Sequence, residues 1–319
     1  TPSTSSAASD VYKRQKMKNL YLITVIFLLS SCQTLSSIQE TLGFVEEDPN
    51  APVKLDENYE SFLDISWQKK IEKPLLDLSF FGENIESNIF FDINAGTIYN
   101  LNEKQLELID ADTGQLSEVF ELETDRIISG VSVGYNSFFY VDADGIVYAH
   151  DANSGDLKWK KELEDVVLSK ILITSTQAFL QTSSDVLYGM DLQTGETKWQ
   201  KQAQAPLLSI RGTASPIIYE GLIFTSFSNG RLAAVRAVDG IQLWEKPISR
   251  LKGSTELEKL MDGDSNAITI NEEVFVANYN GSLTRFNIRS GDKVFSVDHS
   301  TSKPILFNKG KILLSLIHI

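Results

Sequence analysis

The sequence contains few of the residues that usually carry chemistry. Its 319 residues include one cysteine and three histidines. A single cysteine excludes an internal disulfide framework. His150, His299 and His318 are far apart and have no cysteine or carboxylate partners at ligand spacing, so they predict surface or turn residues rather than a zinc site. No Walker loop, G-x-S-x-G elbow or G-x-G-x-x-G motif occurs, and the sequence therefore predicts that the protein is not an enzyme of these classes.

A basic surface is also lacking. The formal net charge is −14 at pH 7, and such a surface repels nucleic acid and anionic lipid. The composition is 42% hydrophobic and 10% aromatic, which is ordinary for a globular protein large enough to bury a sizeable core. The sequence therefore predicts a folded, acidic body with no nucleic-acid partner.

The amino-terminal region has one apolar run, of about ten residues, which is too short to span a bilayer. Residues 17–31 combine this run with a short basic start and a small-residue exit, as in a secretory signal peptide. Leu29–Cys32 resembles the lipobox of bacterial lipoproteins, which implies cleavage before Cys32 and lipidation of that cysteine. Because Cys32 is the only cysteine, lipidation explains it better than packing does. The same resemblance implies that Gln33 directs the protein to the outer membrane.

The predicted signal peptide and lipidation site divide the chain into four segments. Residues 1–16, rich in Ser, Thr and Ala, are predicted to be extraneous, with Met17 as the true start. Residues 17–31 are the signal peptide, and residues 32–61, acidic and poor in apolar residues, are a lipidated flexible tether. Residues 62–319 form the folded body.

A repeat organises that body. A turn glycine ends a strand pattern five times, with spacings of 41, 40, 45 and 51 residues, at Gly114, Gly155, Gly195, Gly240 and Gly291. Asp, Asn, Ser and Thr ahead of these glycines suit hydrogen-bonded turns, and glycine accepts a positive φ. The period is close to that of a four-stranded propeller blade. The sequence therefore predicts an all-β fold, a β-propeller of four-stranded blades of the PQQ or WD40 type.

An aromatic residue follows four of these glycines by four positions: Trp159, Trp199, Trp244 and Phe295. We expect these rings to pack between neighbouring blades, because one blade cannot cover its own apolar face; ligand stacking is the alternative. The pattern at Trp67–Ile71 indicates a closing outer strand that belongs to the last blade.

Five blade units and the start of a sixth are predicted: 75–125, 130–165, 170–205, 210–250, 265–300 and a segment from Lys303. Propeller rings close with about four to eight blades, so a small closed ring of the units present here is an alternative. The strand pattern at Ile312–Ile319 continues to the last residue. We therefore expect an incomplete ring in a chain that lacks about two to three blades.

Two segments do not fit the repeat, Leu207–Gly212 and Lys252–Asp264. With them, the lipobox, the acidic tether and the PQQ-type repeats, the chain resembles the BamB family, the lipoproteins of the outer-membrane β-barrel assembly (BAM) complex, over residues 17 to about 315. The resemblance implies an eight-bladed propeller without a cofactor, anchored by lipid on the periplasmic face of the outer membrane. It also implies a non-catalytic scaffold that assists the folding and insertion of outer-membrane proteins.

The resemblance implies, further, that the two segments form adjacent loops that bind the POTRA domains of BamA, beside other BAM subunits. Carried over residue by residue, the contacts fall on Leu208, Ile210 and Arg211 in the first segment and on Asp262 and Asp264 in the second. Ile210 replaces the more usual leucine and preserves an apolar contact.

The residues themselves leave alternatives open. Two aliphatic side chains beside an arginine have the composition of an interface anchor, but Leu208 and Ile210 also suit a blade core. Arg211 can pair with either aspartate of the second segment, and that segment also suits a solvated surface loop.

Two other functions remain open. PQQ-dependent dehydrogenases share these repeats, although many use a vicinal cysteine pair that this chain lacks. A generic periplasmic propeller would instead present strand edges to peptides such as nascent outer-membrane β-strands.

Overall fold

The structure is a computed structural model that describes residues 66–68, 91–102, 104–204, 214–250, 265–301 and 303–314. The chain divides into two compact units, Thr1–Asp64 and Ile65–Ile319, and all described residues belong to the second. The elements of the described residues are all β-strands. Within these ranges no helix has the length and apolarity needed to cross a bilayer.

The strands form five four-stranded sheets and one two-stranded sheet. The first two sheets contain β1 (Phe91–Asn94), β2 (Thr97–Asn102), β3 (Gln105–Asp110) and β4 (Leu116–Glu121), and β5 (Ser132–Gly134), β6 (Ser137–Val141), β7 (Ile146–Asp151) and β8 (Leu157–Glu162). The next two contain β9 (Leu172–Ile173), β10 (Gln177–Gln181), β11 (Val186–Asp191) and β12 (Thr197–Gln202), and β13 (Ile217–Tyr219), β14 (Leu222–Phe227), β15 (Arg231–Arg236) and β16 (Gln242–Pro247). The last two contain β17 (Ile268–Ile270), β18 (Glu273–Val276), β19 (Leu283–Asn287) and β20 (Lys293–Val297), and β21 (Leu306–Asn308) and β22 (Lys311–Leu313).

Each sheet is an antiparallel meander in which sequence neighbours pair. The first strands of the first three sheets adjoin, since β1 lies beside β5 and β5 beside β9. We call the sheets blades one to six and the first and fourth strands of a blade inner and outer. The predicted fold class, an all-β propeller of four-stranded blades, is confirmed, and the predicted units match the sheets wherever the structure describes them.

The turn between the third and fourth strands has the same length, five residues, in all five four-stranded blades. Its glycine has φ between 69° and 76° in every case, a conformation that glycine adopts without a Cβ clash. In the first blade Gly114 N donates to Asp110 O at 2.8 Å, and the Asp110 carboxylate accepts from Thr113 N at 2.7 Å. The predicted turn chemistry is therefore confirmed.

Tryptophans join successive blades. The indole ring of an outer strand lies on the turn glycine of the next blade, and its Nε1–H donates to a carbonyl of the same turn. These contacts pair Trp159 with Gly195 and Leu192 O (3.0 Å), Trp199 with Gly240 and Ala237 O (2.9 Å), and Trp244 with Gly291 and Ile288 O (3.0 Å). The prediction of rings packed between blades is confirmed for these three residues.

Trp67 makes the same contact with the first blade. Its Nε1–H donates to Ala111 O at 2.9 Å, and a Cβ on Gly114 would lie 2.5 Å from its ring. Trp67 therefore takes the place that an outer-strand tryptophan has beside the third, fourth and fifth blades, although it lies 44 residues before Ala111.

The first blade departs from the pattern. Glu118 pairs with Leu108 as Trp159 pairs with Ala149, so a carboxylate stands where the other outer strands carry an aromatic ring. The ring of Phe120, two positions later, packs on Gly155 instead. The blade contact is kept by a different residue of the same strand.

The cores lie between blades. One cluster joins buried residues of the second and third blades, including Phe139, Trp159 and Leu180, and another joins the fourth and fifth, including Phe224 and Phe286. Each of these blades therefore shares a hydrophobic core with a neighbouring blade, as in other repeat folds.

The prediction that the histidines are surface or turn residues is wrong for His150. Its side chain is 1% exposed and stacks on Phe138 with ring centroids 4.8 Å apart. The cause is its place on β7, where it pairs with Phe138 on β6. His299 is exposed, as predicted, and His318 lies outside the described residues.

Candidate functional site

The blades have two different ends. At one, which we call the turn end, lie the five-residue turns between third and fourth strands. At the other, the connection end, lie the turns between second and third strands and the links from one blade to the next. Because every blade is a meander, this division holds throughout the five blades.

The links differ in length. Those that contain 122–131, 163–171 and 298–305 have ten, nine and eight residues, whereas those at 203–216 and 248–267 have fourteen and twenty. The two long links contain the two segments that do not fit the repeat. Extra length in a repeat scaffold usually marks the binding face, so the connection end of the third to fifth blades is the candidate site.

The predicted site residues themselves lie outside the described residues: Cys32, Leu208, Ile210, Arg211, Asp262 and Asp264. Their roles stay predictions. The structure describes the residues at both ends of each long link, and these define where the two segments leave and rejoin the blades.

The link that contains the first segment begins with Ala203 and Gln204. Ala203 N donates to Asp185 O at 3.0 Å, and Asn229 Nδ2 donates to Gln204 O at 3.1 Å. Asp185 and Asn229 belong to the second-to-third strand turns of the third and fourth blades. The start of the link is therefore held by two blades at once.

Its end is held by the other long link. Ser215 N donates to the Asn266 side-chain oxygen at 2.7 Å, and Ser215 Oγ accepts from Lys170 N at 3.1 Å. Ser215 closes the first segment and Asn266 closes the second. The two links are thus hydrogen-bonded to each other where they enter β13 and β17.

The start of the second segment is equally fixed. Ile248 N donates to Gly230 O at 3.0 Å. Ser249 Oγ donates to Asn278 Oδ1 at 2.6 Å and accepts from Ser282 N at 2.7 Å, and all three of these residues are buried. A rigid polar base therefore lies under the point where this link leaves the fourth blade.

A lysine braces the inner strands beside the site. Lys170 Nζ lies 3.3 Å from an Asp92 carboxylate oxygen and donates to Phe91 O at 2.6 Å. The other Asp92 oxygen accepts from Val133 N at 2.9 Å. The Lys170 side chain, from the link before the third blade, thus contacts the inner strand of the first blade, and Asp92 joins that strand to the inner strand of the second. The backbone N–H of Lys170 donates to Ser215.

The described ranges contain no group of three or more His, Cys, Asp or Glu side chains arranged to hold a metal ion. At the connection end these ranges present hydrogen-bonding groups and an exposed ion pair, in which Arg126 and Asp144 lie 2.8 Å apart between the first and second blades. Such an arrangement suits contact with another protein.

Sequence reasoning missed Asp185, Ser215 and Asn266. Each resembles an ordinary turn or link residue in the sequence. A usable signal existed only for Asp185, which stands where the corresponding turns have Gly145 and Gly230.

Known proteins with similar sequence and structure are consistent with this geometry. The family model for outer membrane protein assembly factor BamB matches residues 102–315. Outer membrane protein assembly factor BamB from Escherichia coli is 33% identical over 195 residues, which are 61% of this chain and 50% of that protein. The chain thus spans about half the length of curated relatives that it matches.

Two solved structures share the fold. The crystal structure of BamB from Moraxella catarrhalis superposes with a TM-score of 0.63 at 23% identity, covering 69% of this chain and 67% of that one. A europium-containing methanol dehydrogenase superposes with a TM-score of 0.50 at 14% identity, over 65% of this chain and 50% of that one. At these identities the superpositions show the propeller fold alone. The family match, which extends over most of the described blades, shows that the chain belongs to the family of outer membrane protein assembly factor BamB.

Proposed function

We propose that this chain is a non-catalytic scaffold of the BAM complex that docks on BamA and assists the folding and insertion of outer-membrane proteins. Lipid on Cys32 anchors it at the periplasmic face of the outer membrane, and residues 32–61 tether the propeller to that anchor. Membership of the BamB family supports a role in outer-membrane protein assembly.

One observation supports the location of the docking surface. The two longest links both lie at the connection end of adjacent blades, and Ser215 N donates to the Asn266 side chain at 2.7 Å where they rejoin the blades. The two segments that mark the family in the sequence therefore arise side by side. Leu208, Ile210 and Arg211 supply an apolar anchor and directional donors, while Asp262 and Asp264 supply acceptors.

The experiment is a binding titration of the full chain, in detergent, against the periplasmic POTRA region of BamA. We expect the wild type to bind, and Arg211→Ala and the double variant Asp262→Ala/Asp264→Ala each to bind about tenfold more weakly or worse, since interface anchors contribute about 2 kcal/mol or more. Circular dichroism checks that each variant folds.

A matched control comes from the same end of the propeller. Arg126 and Asp144 form an exposed ion pair between the first and second blades. Arg126→Ala and Asp144→Ala should leave binding unchanged. If they weaken it as much as the first set does, binding reflects general electrostatics and the proposed face is wrong. Absence of wild-type binding would contradict the scaffold role and favour the dehydrogenase or peptide-binding hypotheses.

A further inference from the structure

Asp185 has an unusual combination of properties. It lies in the turn between β10 and β11, is 2% exposed, and has φ of 61° although it is not glycine. Burial raises the pKa of its carboxyl, and hydrogen bonds from Ser228 and Gln181 oppose that rise. A buried carboxyl in a left-handed backbone conformation costs stability, and such residues cluster where function requires them.

The corresponding turns show what the carboxylate adds. Gly145 and Gly230 stand at the same position in the second and fourth blades, with φ of 80° and 71°. Their carbonyls accept from Leu163 N and Ile248 N as Asp185 O accepts from Ala203 N. The backbone bond to the link is therefore shared by the blades, and glycine is sufficient for it.

The Asp185 side chain bonds to Ser228 in the next blade and to Gln181 in its own blade. Its carboxylate accepts from Ser228 N at 3.1 Å and 3.2 Å and from the Ser228 hydroxyl, and it accepts from Gln181 Nε2 at 3.1 Å. Gln181 Nε2 also donates to Ser226 O at 3.0 Å, and its carbonyl oxygen accepts from the Thr225 hydroxyl. This buried polar seam joins the third and fourth blades.

The seam fixes the turn at 228–230, and that turn contacts the start of the link 203–216. Ser228 directly precedes Asn229, whose side chain donates to Gln204 O at 3.1 Å. Asp185 therefore holds the departure point of the first segment twice, through its own carbonyl at Ala203 and through the Ser228–Asn229 turn at Gln204.

We propose that Asp185 is a positioning residue for partner docking: its carboxylate fixes residues 203–204, which precede the first segment, Leu207–Gly212, relative to the fourth blade. The proposal rests on the proposed function, in which this segment binds BamA. Fixing a loop before binding lowers the entropy that docking must overcome, so loss of the carboxylate weakens binding without removing any contact with the partner.

The decisive variant is Asp185→Gly. It gives the third blade the residue that Gly145 and Gly230 provide elsewhere, keeps the bond to Ala203 N and removes only the carboxylate. We expect a folded full chain that binds the POTRA region of BamA about tenfold more weakly than wild type. Asp185→Asn, which tolerates positive φ and keeps one acceptor oxygen, should restore most of the affinity.

Glu220→Gly is the matched control. Glu220 has φ of 49° in the β13–β14 turn, at the turn end of the fourth blade. The variant makes the same exchange of an acidic residue for glycine in a left-handed conformation, and binding should stay at the wild-type level. Asp185→Gly binding as tightly as wild type would overturn the positioning role while leaving the docking proposal intact.

Hydrogen exchange separates the two proposals. In Asp185→Gly, amide exchange should accelerate in the peptides that contain Ser228 and Gln204 and should stay unchanged around Tyr140 in the second blade. Unchanged exchange at Ser228 would refute the seam whatever the binding result. If wild type does not bind BamA but exchange accelerates as expected, the seam exists as described. The docking proposal then fails, and the proposed role of Asp185 in docking fails with it.

Discussion

The hydroxyl of Tyr140 donates a hydrogen bond to Nε2 of His150, 3.1 Å away, in the buried core of the second blade. The hydroxyl accepts from Glu123 N at 3.2 Å, so its own proton is available for the imidazole. Nδ1 of His150 lies 2.9 Å from Gly155 O and is therefore the protonated nitrogen. This assignment follows from the hydrogen-bond network and makes His150 a neutral imidazole.

The pH dependence of folding should reveal this imidazole. Burial lowers the pKa of His150 in the folded chain below 6.5, its value in the unfolded chain. At a pH between the folded and the unfolded pKa, the unfolded chain binds a proton that the folded chain does not. The stability is therefore present above pH 6.5 and is lost as pH falls through the folded pKa. The free energy of unfolding of wild type, measured with urea, should fall below pH 6.5, and this fall should be smaller in His150→Gln.

The exposed His299 supplies the control for that experiment. His299→Gln makes the same exchange at an exposed side chain, and it should leave the free energy of unfolding at pH 7 unchanged. Equal slopes for wild type and His150→Gln would show that His150 does not titrate differently in the two states.

An opposite effect is expected at high pH from Tyr148. Burial and the nearby Asp142 carboxylate, which accepts its hydroxyl at 3.1 Å, raise its pKa from 10.0 to about 12. Above pH 10 the unfolded chain loses this proton while the folded chain keeps it, so stability falls as pH rises. Tyr148→Phe should flatten the decline between pH 10 and 12 in unfolding titrations. As a control for the exchange itself, Tyr135→Phe, at a 58% exposed position, should leave the free energy of unfolding at pH 7 unchanged.

Two glycines test the contact between Trp67 and the first blade. Gly114 and Gly96 have φ of 70° and 81°, but only Gly114 has a ring above it, since nothing lies within 4 Å of a Cβ on Gly96. Gly96→Ala should cost about 1 kcal/mol of unfolding free energy from backbone strain. Gly114→Ala should cost about 2–4 kcal/mol, because the new methyl group also collides with the indole of Trp67.

A double-mutant cycle isolates that collision. Trp67→Ala alone should destabilise by about 2–3 kcal/mol, and Gly114→Ala should then cost much less in the Trp67→Ala background than in wild type. Additive effects of the two substitutions would mean that Trp67 and Gly114 are not in contact.

Lipidation of Cys32 can be tested in cells. The full chain should fractionate with membranes, and Cys32→Ala should release it into the soluble fraction while its circular dichroism spectrum keeps the β-sheet signal. Mass spectrometry of the wild type should show acyl chains on Cys32. A Cys32→Ala protein that stays bound to membranes after a high-salt wash would contradict the lipid anchor.

Much of the fold was predictable because its signals are local. Turn glycines such as Gly155 and Gly195 need a positive φ, and the tryptophans four residues later reveal the blade contact. Both signals recur at one period, so each occurrence supports the others. The position of the two unusual segments in long links was predictable for the same reason.

The remainder depends on contacts that no local pattern contains. His150 looks like a turn residue until β6 pairs with β7 and places it on Phe138. Phe120 replaces a tryptophan from a position two residues away, which strict spacing does not detect. Asp185 joins two blades through its hydrogen bond from Ser228, which lies 43 residues later in the chain. These are tertiary relationships, and propensity alone does not specify them.

The constant five-residue turns and the unequal links have a consequence for how such a protein can change. At the turn end, every five-residue turn between third and fourth strands packs against an aromatic ring, so an inserted residue there would break a blade contact. At the connection end, a link can grow from eight to twenty residues while the blades on either side keep their geometry. New surface can therefore accumulate on the links of the connection end, while the five-residue turns of the opposite end keep the length that the blade contacts require.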